Sequence, residues 1–199
     1  MGAPTAVLHM RADARRNRER IVAAARDAFA EFGPDTQMDD VARRAGVGVG
    51  TLYRHFPTKD ALVGELVRLK LSHFAARARA KLDEEGADPW EALTDLLREQ
   101  AEVMASDAAH QRMVFATSAE SVAHAQPAIL ELSSAFEELL GRARDAGQLR
   151  DDVRVEDIRT LMCGLGSIMA ADRLGVMPYD WRRHLEFALA GMRAPAARD

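Results

Sequence analysis

Val41-Ala42-Arg43-Arg44-Ala45-Gly46-Val47-Gly48-Val49-Gly50-Thr51-Leu52-Tyr53-Arg54-His55-Phe56-Pro57-Thr58-Lys59-Asp60 is the stretch of this chain whose reading decides its fold. Met38, Val41, Ala42 and Ala45 recur at helical intervals, so a short helix with one apolar face ends near Ala45. Gly46 follows at the point where a left-handed cap stops such a helix, and Val47 can plug the angle behind it. A second helix over Val49 to His55 turns Leu52 and Phe56 inward and points Gly50, Thr51 and Arg54 outward. Pro57 ends it, and Thr58 can cap a further helix that begins near Lys59. Two helices of about eight residues cannot stand alone and need a third to close their core. The segment Arg11 to Phe32 supplies one, with Ile21, Ala25, Phe29 and Phe32 on a stripe. The pattern is a helix-turn-helix, whose second helix fits the DNA major groove.

Within that pattern the run Gly50-Thr51-Leu52-Tyr53-Arg54-His55-Phe56, with Pro57, Lys59 and Leu62 after it, is far more specific than helix-glycine-helix spacing alone. Together with Arg20-Ile21, Phe29 through Gly33, Met38 through Ala42 and Ala45-Gly46-Val47, it resembles the DNA-binding domain of the tetracycline-repressor (TetR) family of transcriptional regulators. The resemblance covers roughly residues 11–62, under a third of the chain.

Composition sets outer bounds. A chain of 199 residues can bury a real core in one large domain or in a small one plus a larger one. No run of about 18 apolar residues offers a membrane span, and Met1 to Met10 has no export-signal pattern. The single cysteine, Cys163, excludes an internal disulfide framework and suits a reducing cytoplasm. Its apolar helical surroundings favour a core thiol over a redox sensor. The net charge of −4 divides unevenly: residues 1–60 hold ten Lys/Arg against eight Asp/Glu, and residues 61–199 seventeen against twenty-three. Positive charge gathers at the helix-turn-helix end, above all in Arg11, Arg15, Arg16, Arg18 and Arg20. That run is either a solvated helix face or a flexible arm that meets phosphates or enters the minor groove. The acidic remainder disfavours a nonspecific nucleic-acid coat.

The remainder reads as helices with brief breaks. One runs from about Lys59 to Asp83, and a break over Glu84–Ala87 contains Gly86. Asp88-Pro89-Trp90-Glu91 is a helix start with a capping Asp, Pro in the first turn and Glu three residues on. A shorter helix is expected over Ala109 to Ser118, and another opening at Pro127 and stopping at Gly147. The last two are expected over Val155 to Leu174 and Asp180 to Met192. No strand alternation, repeat or low-complexity tract occurs. The fold class expected is all-α with about nine helices. A DNA-binding domain over residues 1–58, including a basic arm to about residue 14, precedes a larger helical domain over residues 59–199.

Two apolar bands, Ile158, Leu161, Met162, Leu165, Ile168 and Met169, and Trp181, Leu185, Ala188, Leu189 and Met192, fit either an interface or intramolecular core. The family resemblance implies that the last two helices pair with their copies in a four-helix homodimer. Operator geometry agrees, because two reading helices about 34 Å apart are needed for successive major grooves and each chain has one. The expected partner is thus a double-stranded, palindromic operator.

The resemblance also assigns roles. Thr51 can place its methyl against a thymine methyl or its hydroxyl on a base edge or phosphate. Tyr53 and His55 match backbone-contacting positions, and Lys59 a phosphate contact. Gly48, Val49 and Gly50 leave few polar groups at the start of the reading helix, so Arg54 meets either a guanine or a phosphate. The loop Gly33-Pro34-Asp35-Thr36-Gln37 looks one residue short of the common pattern, and either Thr36 or Gln37 caps the first motif helix near phosphate.

The resemblance implies a small-molecule cavity in the larger domain, whose occupancy moves the long fourth helix. Candidate lining residues are Phe74, Trp90, Met104, His110, Met113, Phe115, His124, Phe136 and Met162, each also suited to ordinary core. Their apolar character fits a hydrophobic or aromatic effector that releases a repressor from its operator. The rival reading is a regulator of the same fold that activates transcription or answers to a protein partner. Neither an enzyme nor a cofactor or metal protein is expected. There is no Gly-x-Ser-x-Gly and no glycine-rich phosphate loop, and His110 and His124 stand fourteen positions apart.

Overall fold

The computed structural model describes residues 3–107, 109, 116–175 and 178–195, with side chains from Ala12 onward. Eight α-helices form among the described residues. They are α1 (Ala3–Phe32), α2 (Met38–Ala45), α3 (Val49–His55), α4 (Lys59–Asp83), α5 (Pro89–Ser106), α6 (Ala119–Asp145), α7 (Val155–Arg173) and α8 (Trp181–Met192). The helix expected over 109–118 falls mostly outside the described residues, as do His110, Met113 and Phe115.

The first core closes α1, α2, α3 and the start of α4. Ile21, Ala25, Phe29, Val41, Leu52, Phe56 and Leu62 are buried together in it. Gly46 caps α2 at φ 61°, in the left-handed region that Gly enters at no steric cost. The second core joins α4 to α8 and includes Phe74, Trp90, Leu97, Phe136, Leu140, Ile158, Leu165 and Leu185. α4 belongs to both, and among the described residues its partnership with α6 is the most extensive between any two helices. Ion pairs fasten α8 to α5, Arg98 with Glu186 at 2.7 Å and Arg182 with Glu102 at 2.8 Å.

Helix starts follow the sequence signals where a side chain caps. Thr58 accepts from the Ala61 amide and Asp88 from the Glu91 amide. α6 departs from expectation. It starts at Ala119, where Ser118 accepts from the Ser121 amide, and runs through Pro127. Pro127 and Ala123 both face outward, so the carbonyl that Pro127 cannot serve lies on the solvent side, while Ser121, Ala125 and Ala128 bury the opposite face.

Three further expectations are corrected. α1 is helical from Ala3, so no extended arm runs to about residue 14. No Gly or Pro stands between Thr5 and Phe32, and Arg15–Glu19 and Arg16–Asp13 pairs support the exposed turns. The Arg11 side chain lies outside the described ones. Phe32 is exposed rather than on the buried stripe, because α1 ends there, and its ring lies under the Arg44 guanidinium. Cys163 is exposed, not a core thiol, since Met162 and Leu165 carry the inward face of α7.

The two apolar bands are intramolecular core. Ile158, Met162, Leu165 and Met169 of α7 and Trp181, Leu185 and Leu189 of α8 are buried within the chain. What remains open on these helices is a different surface: Thr160, Cys163, Gly164 and Ser167 on α7, and His184, Phe187 and Gly191 on α8. Phe187 is 63% exposed.

Candidate nucleic-acid interface

α3 is held from behind and open in front. Leu52 and Phe56 anchor it in the first core, and Arg20 of α1 donates to the Gly46 carbonyl at 3.0 Å, tying the turn that leads into it. Glycine at position 46 is required by its left-handed φ, and the Arg20 guanidinium nitrogen lies 2.6 Å from where a Cβ would stand. The open face carries Gly48, Val49, Gly50, Tyr53 and Arg54, all exposed, with Thr51 and His55 half-buried beside them.

Arg54 does not project freely. Its Nε donates to the Gly50 carbonyl at 3.1 Å and its Nη2 to the Thr51 hydroxyl at 3.0 Å. The guanidinium therefore lies back along the helix toward its first turn. Five N–H donors exceed those two acceptors, leaving hydrogen-bonding capacity on the outer side. Lys59, at the start of α4, donates to the Pro34 carbonyl and sits 5.8 Å from the centre of the Phe29 ring. That contact holds an ammonium at the rim of the motif.

The loop before α2 resolves the cap. Gln37 occupies the cap position in extended conformation, its carbonyl accepting from the Asp40 and Val41 amides, but its side chain donates to the Asp35 carbonyl instead of capping. Thr36 is 2% exposed and gives its hydroxyl to the Ala28 and Gly33 carbonyls at 3.2 and 2.7 Å. Thr36 thus braces the turn from inside and presents nothing to a phosphate, which corrects its place among the DNA-facing candidates. Gln37 stays on the exposed side.

Of the effector candidates, Phe74, Trp90, Met104, Phe136 and Met162 gather in the second core, Phe74 edge-on to Phe136 with ring centres 5.3 Å apart. His124 stands apart from them. It packs against Gly64 of α4, where a Cβ would come within 2.6 Å of the His124 Cβ and 2.9 Å of the Ser121 carbonyl oxygen.

That close approach belongs to a joint the sequence reading did not anticipate. Glu65 of α4 is 1% exposed and accepts from Arg18 of α1 at 2.5 Å and from Arg68 at 2.8 Å, with His124 of α6 at 3.7 Å. Burial pushes its carboxyl up, but the hydrogen bonds from Arg68 and Arg18 outweigh that and hold its pKa at about 2. One turn earlier, Asp60 accepts from the hydroxyls of Ser118 and Ser121 at the start of α6. α1, α4 and α6 meet here. A signal was available: Glu65 stands three residues after Leu62 and one before Leu66, on the apolar face, where an unpaired carboxylate is not tolerated.

Among the described residues no group of three or more His, Cys, Asp or Glu is placed to hold a metal ion, and no helix is long and apolar enough to cross a membrane.

Two family models match the chain. Residues 21–66 match bacterial regulatory proteins, tetR family, and residues 88–194, just over half of the chain, match the transcriptional regulator SbtR-like C-terminal domain. The TetR transcription regulatory protein from Mycobacterium vanbaalenii is 35% identical over 93% of this chain and 99% of its own, with a TM-score of 0.61. FadR from Bacillus subtilis, solved in complex with stearoyl-CoA, is similar in fold alone: 20% identity, 86% and 95% coverage, TM-score 0.67. An HTH-type transcriptional regulator of Staphylococcus aureus (strain USA300) is 41% identical over 66 residues, 33% of this chain and 36% of that protein. The chain thus spans about a third of the length of the curated relatives it matches.

Proposed function

The chain belongs to the tetR family of bacterial regulatory proteins, and we propose that it works as a homodimeric repressor whose two copies of α3 read a palindromic operator until a small apolar effector releases them. The family is one of DNA-binding transcriptional regulators, not of enzymes.

The observation that carries the DNA-reading part is the open face of α3. Its scaffold is packed into the first core, and Tyr53, Arg54 and His55 stand along it, with Lys59 at the start of α4 and Gln37 at the start of α2. Tyr53, His55 and Lys59 serve as backbone contacts that set register, while Thr51 and Arg54 face the base edges. Dimerisation is supported by the open surface of α7 and α8, where Thr160, Cys163, Gly164 and Ser167 allow a second helix to come close and Phe187 offers an anchor. The reading places the protein in the cytoplasm, where its operator is.

Effector control rests on the second core and on α4, which runs from it into the reading domain. A core lined by Phe74, Trp90, Met104, Phe136 and Met162 favours a hydrophobic or aromatic compound, and the Bacillus subtilis FadR of the same fold is in complex with stearoyl-CoA. A thermal-shift screen of small apolar compounds, followed by a DNA-release assay on each hit, tests this. The reading expects a compound that raises Tm and lowers DNA affinity. Release of DNA by a protein partner alone, with every stabilising compound leaving affinity unchanged, would overturn it.

A further inference from the structure

The packing of this chain does not require a glycine at position 50. It lies inside α3, where glycine weakens a helix, yet a Cβ placed on it meets nothing within 4 Å, and its backbone is in ordinary helical conformation. Gly46, by contrast, is explained by its left-handed φ, and Gly64 by the Ser121 carbonyl and the His124 Cβ closer than 3 Å. Gly141, Gly164 and Gly191 are equally open, so what sets Gly50 apart is its place on the outward face of α3, beside the exposed Val49 and Arg54.

The surroundings of Gly50 say what fits. On a helix, positions i+3 and i+4 border position i, so Tyr53 and Arg54 flank it, and Val49 and Tyr53 share a face one turn apart. Val49 is 42% exposed and Tyr53 43%, two large apolar groups presented side by side to water on a seven-residue helix. On the other flank, Arg54 is drawn back onto the Gly50 carbonyl and Thr51. The result is a notch with an apolar wall, Val49 and Tyr53, and a polar wall, Thr51 and Arg54.

Only one base offers an apolar group to the major groove, the C5-methyl of thymine. We propose that the notch over Gly50 seats a thymine methyl, with Val49 as its principal contact, and that this chain selects a thymine at that position of each half-site. The hydroxyl of Thr51 is engaged by Arg54, so the discriminating contact comes from Val49 rather than from Thr51. Arg54 keeps its outward donors for the neighbouring pair. The inference rests on the reading of α3 as the DNA-facing helix.

The test uses the full chain and duplexes selected by it from a random library. Each thymine of the selected duplex is replaced in turn by deoxyuridine, which removes only the methyl. At one thymine per half-site affinity falls about fourfold, the effect of losing one buried methyl. Val49→Ala reduces that penalty below twofold. Gly50→Ala leaves Tm equal or higher, because the added methyl meets no neighbour, yet weakens binding about tenfold. Deoxyuridine tolerated within twofold at every thymine, or a penalty unchanged in Val49→Ala, would overturn the proposal while leaving DNA reading by α3 intact. Selection that enriches no sequence would remove the reading beneath it and the proposal with it.

Discussion

Arg18 of α1 and Glu65 of α4, 47 positions apart, meet at 2.5 Å, and this contact binds α1 to the helix that enters the larger core. Glu65 is buried and its pKa is held at about 2 against 4.5 for a free carboxyl. A carboxylate whose folded pKa is depressed stabilises the fold fully above the unfolded value. That stability drains away as pH falls from about 4.5 toward 2. The shift corresponds to about 3 kcal/mol. Glu65→Gln should destabilise the fold at pH 7 and flatten the acid limb of a stability–pH curve measured by urea denaturation. An unchanged acid limb would show that the pair contributes nothing.

Gly64 supplies the second half of the joint. Gly64→Ala gains about 1 kcal/mol of helix propensity, but its Cβ collides with the Ser121 carbonyl, a backbone atom that cannot step aside. Overpacking of this kind costs about 1–3 kcal/mol, so the variant should melt at lower temperature than the wild type. Gly141→Ala, in α6 with nothing within 4 Å of the new Cβ, is the matched control and should melt higher.

Lys59 stands at the rim of the motif, bonded to the Pro34 carbonyl. If it meets a phosphate, Lys59→Ala weakens binding equally for all duplexes and lowers the slope of log affinity against log salt by about 0.9. Fluorescence anisotropy over a salt series reads both. A loss confined to one operator variant would assign Lys59 to base reading instead.

The open surface of α7 and α8 predicts a dimer at micromolar concentration in sedimentation equilibrium. Phe187, 63% exposed, is the anchor to remove. Phe187→Asp should yield folded monomers with unchanged helical signal and DNA affinity lowered by at least tenfold. A monomeric wild type would contradict the surface assigned here.

What was legible in the sequence was what local chemistry decides. Gly46 stops α2, Thr58 and Asp88 cap their helices, and the bounds of α3 follow from Val49, Phe56 and Pro57. What was not legible depends on which element packs where. Pro127 reads as a helix start, but a capping Ser118 and burial of Ser121 and Ala125 against α4 carry the helix through it. The bands around Leu165 and Leu185 read equally as interface or core, since helical periodicity shows that a face is buried and not what buries it. Thr36 shares its sequence signature with a capping threonine, and only the position of the Ala28 and Gly33 carbonyls turns it inward.

Selection of bound sequences from a random duplex library by the wild-type chain tests the central claim most directly. Two copies of α3 on one dimer predict an inverted repeat, with half-site centres one helical turn or a multiple of it apart. Enrichment of a single unpaired half-site, or of no sequence at all, would contradict it.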